Sequence, residues 1–468
     1  MSRGPAGAAG PPPEQRRDGE FSLSLDFWRR FRRQYWDAKG VVLRQALARP
    51  LVTAAEAFEG LVSAGERYRA GRRAAPMSFC IEHAVLQADV GLHLPAPVDA
   101  SLEAFAERVT QQIRGQRFGL VAEDIQCDDA RLWLRLREFV KNLYAVTGRP
   151  GDKAKASVFL GNYRNTPFGV HRDPSAVFTF VLHGHKRILA WPRAFFEDKE
   201  DMTNRLGYER YRGEAIVLEG DPGDVIYLPT GYWHIGEDAS GLAMTVTLTL
   251  VMEPRVSPSL LAIAQQMVHG RVKAADQAAA DALRPGQRTA SRARIGRTVK
   301  RAAQALRSVG ADPELGRSLT AYWLDHVTGS GFTAVPDPLL PRSLPADAVL
   351  RGDPDHPVMW MAAGANELVC SANGHAFVLA KDRGLVRVLR RINSGAPCRV
   401  WDLVERHARG VGARLDASAL QALLEKLWSL RAIEVELHQN ALADQVRVSD
   451  ARKAKARDLP AKKQTAAR

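Results

Sequence analysis

His171 and Asp173 stand two residues apart, with Arg172 between them, in the stretch from Asn162 to His234. Residues two apart on a strand face the same side, so both side chains can aim inward while Arg172 points away. His234 supplies a third donor. It follows a short apolar strand at 225–228 and the turn Pro229-Thr230-Gly231. Two histidines and one carboxylate are the donor set that non-haem Fe(II) oxygenases use, with open octahedral positions left for a bidentate co-substrate and dioxygen. A structural zinc would take four closed ligands, usually including cysteine, and no cysteine is near.

The elements between the ligands read as a strand pair. Residues 177–182 and 186–192 flank the turn His183-Gly184-His185, whose two histidines read as surface residues. Alternation places Lys186 with Ile188 and Ala190, and Arg187 with Leu189 and Trp191. A cation on an apolar face calls for an anion, because an unpaired buried charge is costly. A dicarboxylate that chelates iron at one end would supply that anion at the other. Either Lys186 or Arg187 could receive it. Trp233, beside the last ligand, reads as a packing residue.

His171-x-Asp173, Lys186 fifteen positions after the first histidine, Gly184 two before that lysine, and Gly-Asp-Val-Ile-Tyr-Leu-Pro ahead of Trp233-His234 together resemble the JmjC/cupin-like 2-oxoglutarate oxygenases. These include the asparaginyl hydroxylases and the ribosomal oxygenases. The resemblance implies iron ligation by His171, Asp173 and His234, and Lys186 on the far carboxylate of 2-oxoglutarate. It also implies hydroxylation of a protein or peptide side chain by dioxygen, with release of succinate and carbon dioxide. Two positions depart from the pattern. Phe168 stands where many relatives have Thr or Ser, and Val177 where some have Asn. Tyr163 and Thr179 are then the nearest candidates for the hydroxyl that meets the co-substrate.

The positioning elements are amphipathic helices and short strands. A helix at 27–36 carries the aromatic stripe Phe27, Phe31 and Tyr35, with Trp28 beside it. A Thr-capped helix starts at Thr53, and helices at 101–114 and 129–146 follow. Strands at 119–125 and 156–160 lead to the ligands; strands at 215–219, 224–228 and 242–251 follow. The last alternates Thr245, Thr247 and Thr249 with apolar residues, so Thr247 can face a co-substrate or substrate. Residues 195–214, charged and carrying Tyr208 and Tyr211, read as an insertion overhanging the pocket mouth, or as an ordinary connector.

The expected fold is mixed α+β: a double-stranded β-helix, the cupin/JmjC jelly roll, then a helical segment and a winged-helix-like C-terminal domain. The expected boundaries are a disordered N-terminus at 1–20, a catalytic domain at 21–253, a helical domain at 254–334, a proline-rich linker at 335–345, a winged-helix-like domain at 346–445 and a basic tail at 446–468. In the resembled ribosomal oxygenases the helical part dimerises, which implies a homodimer. The helix at 418–430 is apolar and carries little positive charge, so it suits packing or protein docking better than DNA reading.

Composition narrows the class further. A chain of 468 residues, 46% hydrophobic and 25% charged, is an ordinary globular composition. It has no run of eighteen apolar residues and no signal-peptide core near its start, so a membrane role is not expected. Four cysteines without Cys-x-x-Cys spacing suit reduced thiols and a cytoplasmic setting. The net charge of +14, concentrated at 288–307 and 452–468, suits an acidic or ribonucleoprotein partner, or else a solvated helix face and tail. Two rival functions remain: a cupin metalloenzyme that does not use 2-oxoglutarate, and a non-catalytic nucleic-acid or protein-binding scaffold.

Overall fold

The computed structural model describes residues 20–197, 199, 207–238, 241–253, 258–275, 297–332, 334–408 and 416–436. The expected disordered N-terminus (apart from Glu20), much of the 288–307 basic cluster and the 446–468 tail lie outside these. The chain divides into two units: residues 1–311 with 329–336, and residues 312–328 with 337–468.

The first unit opens with α1 (Leu25–Gln34), β1 (Val41–Leu43), α2 (Ala54–Arg69), β2 (Met77–Ile81), β3 (Ala84–Val85), α3 (Leu102–Gln112), β4 (Phe118–Ala122) and α4 (Ala130–Thr147). The jelly-roll strands follow: β5 (Ala154–Gly161), β6 (His171–Arg172), β7 (Ala176–His183), β8 (Lys186–Trp191), β9 (Ile216–Gly220), β10 (Val225–Leu228), β11 (Trp233–Asp238) and β12 (Ala243–Leu250). Two helices, α5 (Pro258–Ala275) and α6 (Arg297–Gly310), close this unit.

Side-chain oxygens start the helices. Ser24 accepts from the Phe27 amide, and Thr53 with Glu56 forms a reciprocal capping box on α2. That box explains the start at Thr53, and the helix runs on to Arg69. Arg135, bonded to Glu56 at 3.0 Å, holds that carboxyl down at about 2. The aromatic stripe of α1 is core: Trp28 meets Phe139 of α4 and Phe178 of β7 edge-on, 5.6 and 5.8 Å between ring centres.

Two antiparallel sheets result, in the orders β1-β10-β7-β12-β5-β4-β2-β3 and β6-β11-β8-β9. Together they make the double-stranded β-helix. Strand β7 is buried on both faces. Phe178 and Phe180 pack outward on α1 and α4, whereas Val177 and Thr179 face a cavity between the sheets. Asp224, in the Gly-Asp turn before β10, is structural. It accepts from Arg44 at 2.6 Å, the Gln45 amide at 3.0 Å and the Asp221 amide at 3.0 Å, tying the β10 turn to the segment after β1.

The second unit holds α7 (Pro313–Thr328), β13 (Val349–Gly352), β14 (Met359–Ala363), β15 (Glu367–Ala372), β16 (His375–Ala380), α8 (Arg383–Asn393), β17 (Cys398–Arg399), α9 (Val400–Ala408), α10 (Ala417–Ser429) and β18 (Ile433–Glu436). Its sheets are β14-β15-β16, turning at Asn373-Gly374 between the last two strands, and β17-β13-β18. The sequence reading groups α7 with α5 and α6, but α7 packs in this unit. The Ser371 hydroxyl donates to Asp325 at 2.6 Å, and the Gly374 amide to Thr328 at 3.0 Å.

Asp325 makes this contact pH-dependent. Burial raises its carboxyl from the ordinary 3.8 to about 6, against the opposing Ser371 hydroxyl. A raised carboxyl pKa means the folded state disfavours the ionised form. The penalty is absent below about pH 4, grows as pH rises through 6, and is complete at neutrality. Asp325→Asn should therefore stabilise this unit at pH 7.5 by roughly 1–2 kcal/mol after solvent screening, and by much less near pH 4.5. Urea unfolding at the two pH values measures this; an equal gain at both would show the charge to be irrelevant.

Candidate metal centre

His171 on β6 and His234 on β11 are direct partners across an antiparallel pair, which sets their rings 4.3 Å apart. Asp173 lies just past the end of β6, so it is a loop residue and not the strand residue that the two-residue spacing suggested. Its carbonyl accepts from the Gly231 amide at 2.9 Å, which pins the loop to the turn before β11. Gly231 takes φ of +74°, a conformation that favours glycine. The three side chains each offer a ligand atom, and these atoms lie within 4.8 Å of one another.

The tautomers follow from the backbone. His171 Nδ1 is 2.9 Å from the Gly169 carbonyl and His234 Nδ1 is 3.1 Å from the Tyr232 carbonyl. A ring N–H donating there leaves Nε2 as the free lone pair, and His234 Nε2 points to within 3.9 Å of Asp173. Burial, then the neighbouring His171, push His234 down to about 4, outweighing the pull of Asp173. It is therefore a neutral imidazole at physiological pH, the form a metal takes. Two imidazole nitrogens and one carboxylate fit Fe(II).

The ligands open on a cavity of about 370 Å³ between the two sheets. Val177, Ile188 and Leu228 give it an apolar wall, while Ser157, Thr179, Thr245, Thr247 and Thr249 give it a hydroxyl wall. All three alternating threonines of β12 face inward, as their spacing suggested. Thr247 and Thr179, partners in register, hold their hydroxyls 3.3 Å apart. Lys186 also lines the cavity, only 5% exposed. It donates to the Tyr163 hydroxyl at 2.9 Å and meets no carboxylate among the described residues. Arg187 forms an ion pair with Glu219 instead and does not line the cavity. Tyr163 itself is buried and reaches the cavity through Lys186.

Thr166 escaped the sequence reading. It sits five residues before His171, where only the third-before position, Phe168, drew notice. It lines the cavity with a buried hydroxyl that has no partner. Its amide donates to the Gly236 carbonyl at 2.8 Å. Gly236 matters too: a Cβ there would lie 2.8 Å from Lys186 Nζ and 3.2 Å from Thr166 Cγ2. The absence of a side chain at 236 makes room for the lysine.

In its described residues, the insertion at 195–214 fits the reading as a connector. Its described aromatic residues Phe195, Phe196, Tyr208 and Tyr211 pack with Trp191 and Trp233 against the outer face of the smaller sheet, and none lines the cavity. Tyr208 donates to the buried Glu237 at 2.7 Å, and Arg212 clamps the same carboxylate at 2.6 and 3.0 Å. Burial and that carboxylate raise the Tyr208 phenol to about 12. The described part of the insertion therefore braces β11 from behind. Trp233 is a packing residue, as its position suggested. His185 pairs with Asp221 at 2.8 Å, away from the cavity.

A mixed α+β jelly roll with a His-Asp-His cluster inside is the architecture of the cupin-like oxygenases. Residues 141–256 match the JmjC domain family, so this stretch of the chain is a JmjC domain. Among solved structures, the ribosomal oxygenase YcfD from Escherichia coli is similar at 16% identity, covering 87% of this chain and 98% of that one, with a TM-score of 0.46. A YcfD complex with cobalt and 2-oxoglutarate is similar at 15% identity over 88% and 98%, with a TM-score of 0.43. The DMSP lyase DddQ from Ruegeria pomeroyi DSS-3 is similar over 21% of this chain and 39% of that one, at 17% identity and a TM-score of 0.15. No curated protein matches the chain. Among the described residues no helix is long and apolar enough to cross a membrane.

Proposed function

We propose that the chain is an Fe(II)- and 2-oxoglutarate-dependent hydroxylase acting on a protein or peptide side chain. One observation carries the reading: the His171, Asp173 and His234 donors share a cavity with a buried lysine that has no carboxylate partner among the described residues. The metalloenzyme alternative without 2-oxoglutarate leaves that lysine without a purpose.

In this reading His171, Asp173 and His234 hold the iron and Lys186 receives the far carboxylate of 2-oxoglutarate. When bound, iron and 2-oxoglutarate would supply the activation of dioxygen for C–H hydroxylation, with release of succinate and carbon dioxide. The residues of the chain prepare the site. Carbonyls of Gly169 and Tyr232 fix the two imidazoles through Nδ1–H, so that neither ring must reorient on binding metal. The Tyr163 hydroxyl accepts from Lys186 and aims its ammonium. Val177, Ile188 and Leu228 keep one wall dry, while the hydroxyls of Ser157, Thr179, Thr245 and Thr247 offer partners to a polar substrate group or to the near end of the co-substrate.

The remaining architecture is read in the same spirit. Residues 21–253 form the catalytic domain, α5 and α6 the helical segment after it, and 346–445 a winged-helix-like domain, with α7 grouped in that second unit. The order β13, α8, β17, α9, α10, β18, with the sheet β17-β13-β18, supports the last assignment. Helices α5 and α6 are joined by Arg271 donating to Ser308 at 2.6 Å. Each shows a leucine, Leu261 or Leu306, that is 60% exposed. Such apolar exposure supports self-association through this segment.

Anaerobic titration with Fe(II) and then 2-oxoglutarate tests the function. The wild type should develop the visible charge-transfer band of the chelate. His234→Ala should bind Fe(II) on the order of 100-fold more weakly or worse, and show no band. Iron binding without a band in the wild type would favour another cupin metalloenzyme. Absence of iron binding would favour the non-catalytic scaffold.

A further inference from the structure

Helix α8 presents an unusual face. Its sequence, RGLVRVLRRIN, contains no acidic residue. At 100° per residue, Arg383, Arg387, Arg390 and Arg391 fall within an arc of about 100°, opposite the buried Leu385, Val388, Leu389 and Ile392. All four arginines are exposed. Among the described residues Arg383, Arg387 and Arg390 make no ion pair, and Arg391 donates to the Pro397 carbonyl at 3.1 Å and to the Cys398 side chain. Along the helix Arg383, Arg387 and Arg391 recur about every 6 Å. A cavity of about 310 Å³ runs between α8 and α9, floored by Val388, Leu403 and Pro397 and rimmed by Arg387, Arg391 and Arg406. Asp402, half-buried, is the one acidic residue lining it.

We propose that the α8–α9 face binds single-stranded nucleic acid, with phosphates on the arginine row and a base in the groove. Two features favour this partner over an acidic protein surface. Every cation of the row is arginine, whose planar fork grips phosphate bidentately and stacks on bases. The groove floor is apolar, and Asp402 within it can accept from a base amino group while repelling a second carboxylate. The assignment is independent of the oxygenase chemistry. It also differs in place from the basic segments at 288–307 and 452–468 and from the apolar helix α10.

Fluorescence anisotropy with the full chain tests it, using labelled mixed-sequence twelve-nucleotide RNA and the matching DNA across a salt series. Arg387→Glu/Arg390→Glu/Arg391→Glu should weaken RNA binding at least about tenfold and flatten the log K against log salt slope by about 2, since each strand phosphate contributes about 0.7. The neutral Gln triple variant should do the same to a lesser degree and guards against misfolding. Preference for RNA over DNA, or equal binding, identifies the strand chemistry and supports the proposal either way. A control with the same charge change on exposed arginines of the other unit, Arg33→Glu/Arg72→Glu/Arg114→Glu, should bind nearly as wild type. Equal loss in that control, competition by polyglutamate as strong as by RNA, or no binding at low salt would each overturn the assignment.

Discussion

Replacing Lys186 with methionine should raise the 2-oxoglutarate needed to half-saturate the iron-loaded protein by two orders of magnitude or more, while Fe(II) binding stays near the wild-type value. The size follows from burial. Lys186 is 5% exposed, and its only hydrogen-bond partner among the described residues is the Tyr163 hydroxyl. A dicarboxylate would place its far end against this ammonium in a dry cavity, and truncating one partner of a buried charge pair costs about 2–5 kcal/mol. The same burial predicts an opposite effect on the apoprotein. An ammonium without a counter-charge is expensive to bury, and an apolar side chain of similar length removes that cost. The variant should thus melt no lower than the wild type, and by this argument somewhat higher, before any ligand is added. Charge-transfer titration and a thermal melt read the two effects separately. Normal 2-oxoglutarate affinity in the variant would remove Lys186 from the co-substrate site.

What could be read from the chain beforehand was whatever depends on local periodicity. His171 and His234 are opposite each other because both are on paired strands, and the Thr245, Thr247 and Thr249 alternation is preserved because β12 keeps an unbroken register with β5. The aromatic stripe of α1 is core because a period near 3.6 leaves it no other face. Features that depend on loops or on distant partners were not legible. Thr166 reaches the cavity through a loop held by the Gly236 carbonyl, a pairing no spacing rule encodes. The packing of Phe195, Phe196, Tyr208 and Tyr211 over Trp191 and Trp233 joins side chains distant in sequence, so the choice between an overhang and a connector at 195–214 could not be made from the chain. The four-residue strand β13 has too short a pattern to register, yet it carries the sheet of the C-terminal unit. The arginine face of α8 was visible in the sequence but unremarked, because attention fell on the helix where a winged helix would read DNA.

Gly236→Val should abolish measurable 2-oxoglutarate binding, and Gly236→Ala should weaken it by on the order of tenfold, with iron binding retained in both. Gly236 carries no positive φ, so the backbone accepts a side chain and only space decides the outcome. The first atom of that side chain would lie 2.8 Å from Lys186 Nζ and 3.3 Å from its Cε. The far end of a lysine is flexible, so in the alanine variant the ammonium can swing aside. Doing so breaks its 2.9 Å bond to Tyr163 and spoils the aim of the cation, at about 1–1.5 kcal/mol for such a bond. Valine adds two further carbons where the lysine head and Thr166 already meet, and leaves no room for a carboxylate between them. His234, two residues earlier on β11, keeps its pairing with His171 and its Nδ1 contact with Tyr232, so the metal donors stay in place. Gly213→Ala, at a position with nothing within 4 Å, serves as the neutral comparison. Undiminished 2-oxoglutarate binding in Gly236→Val would mean that the co-substrate never approaches Lys186. Loss of iron along with it would mean instead that β11 had shifted as a whole.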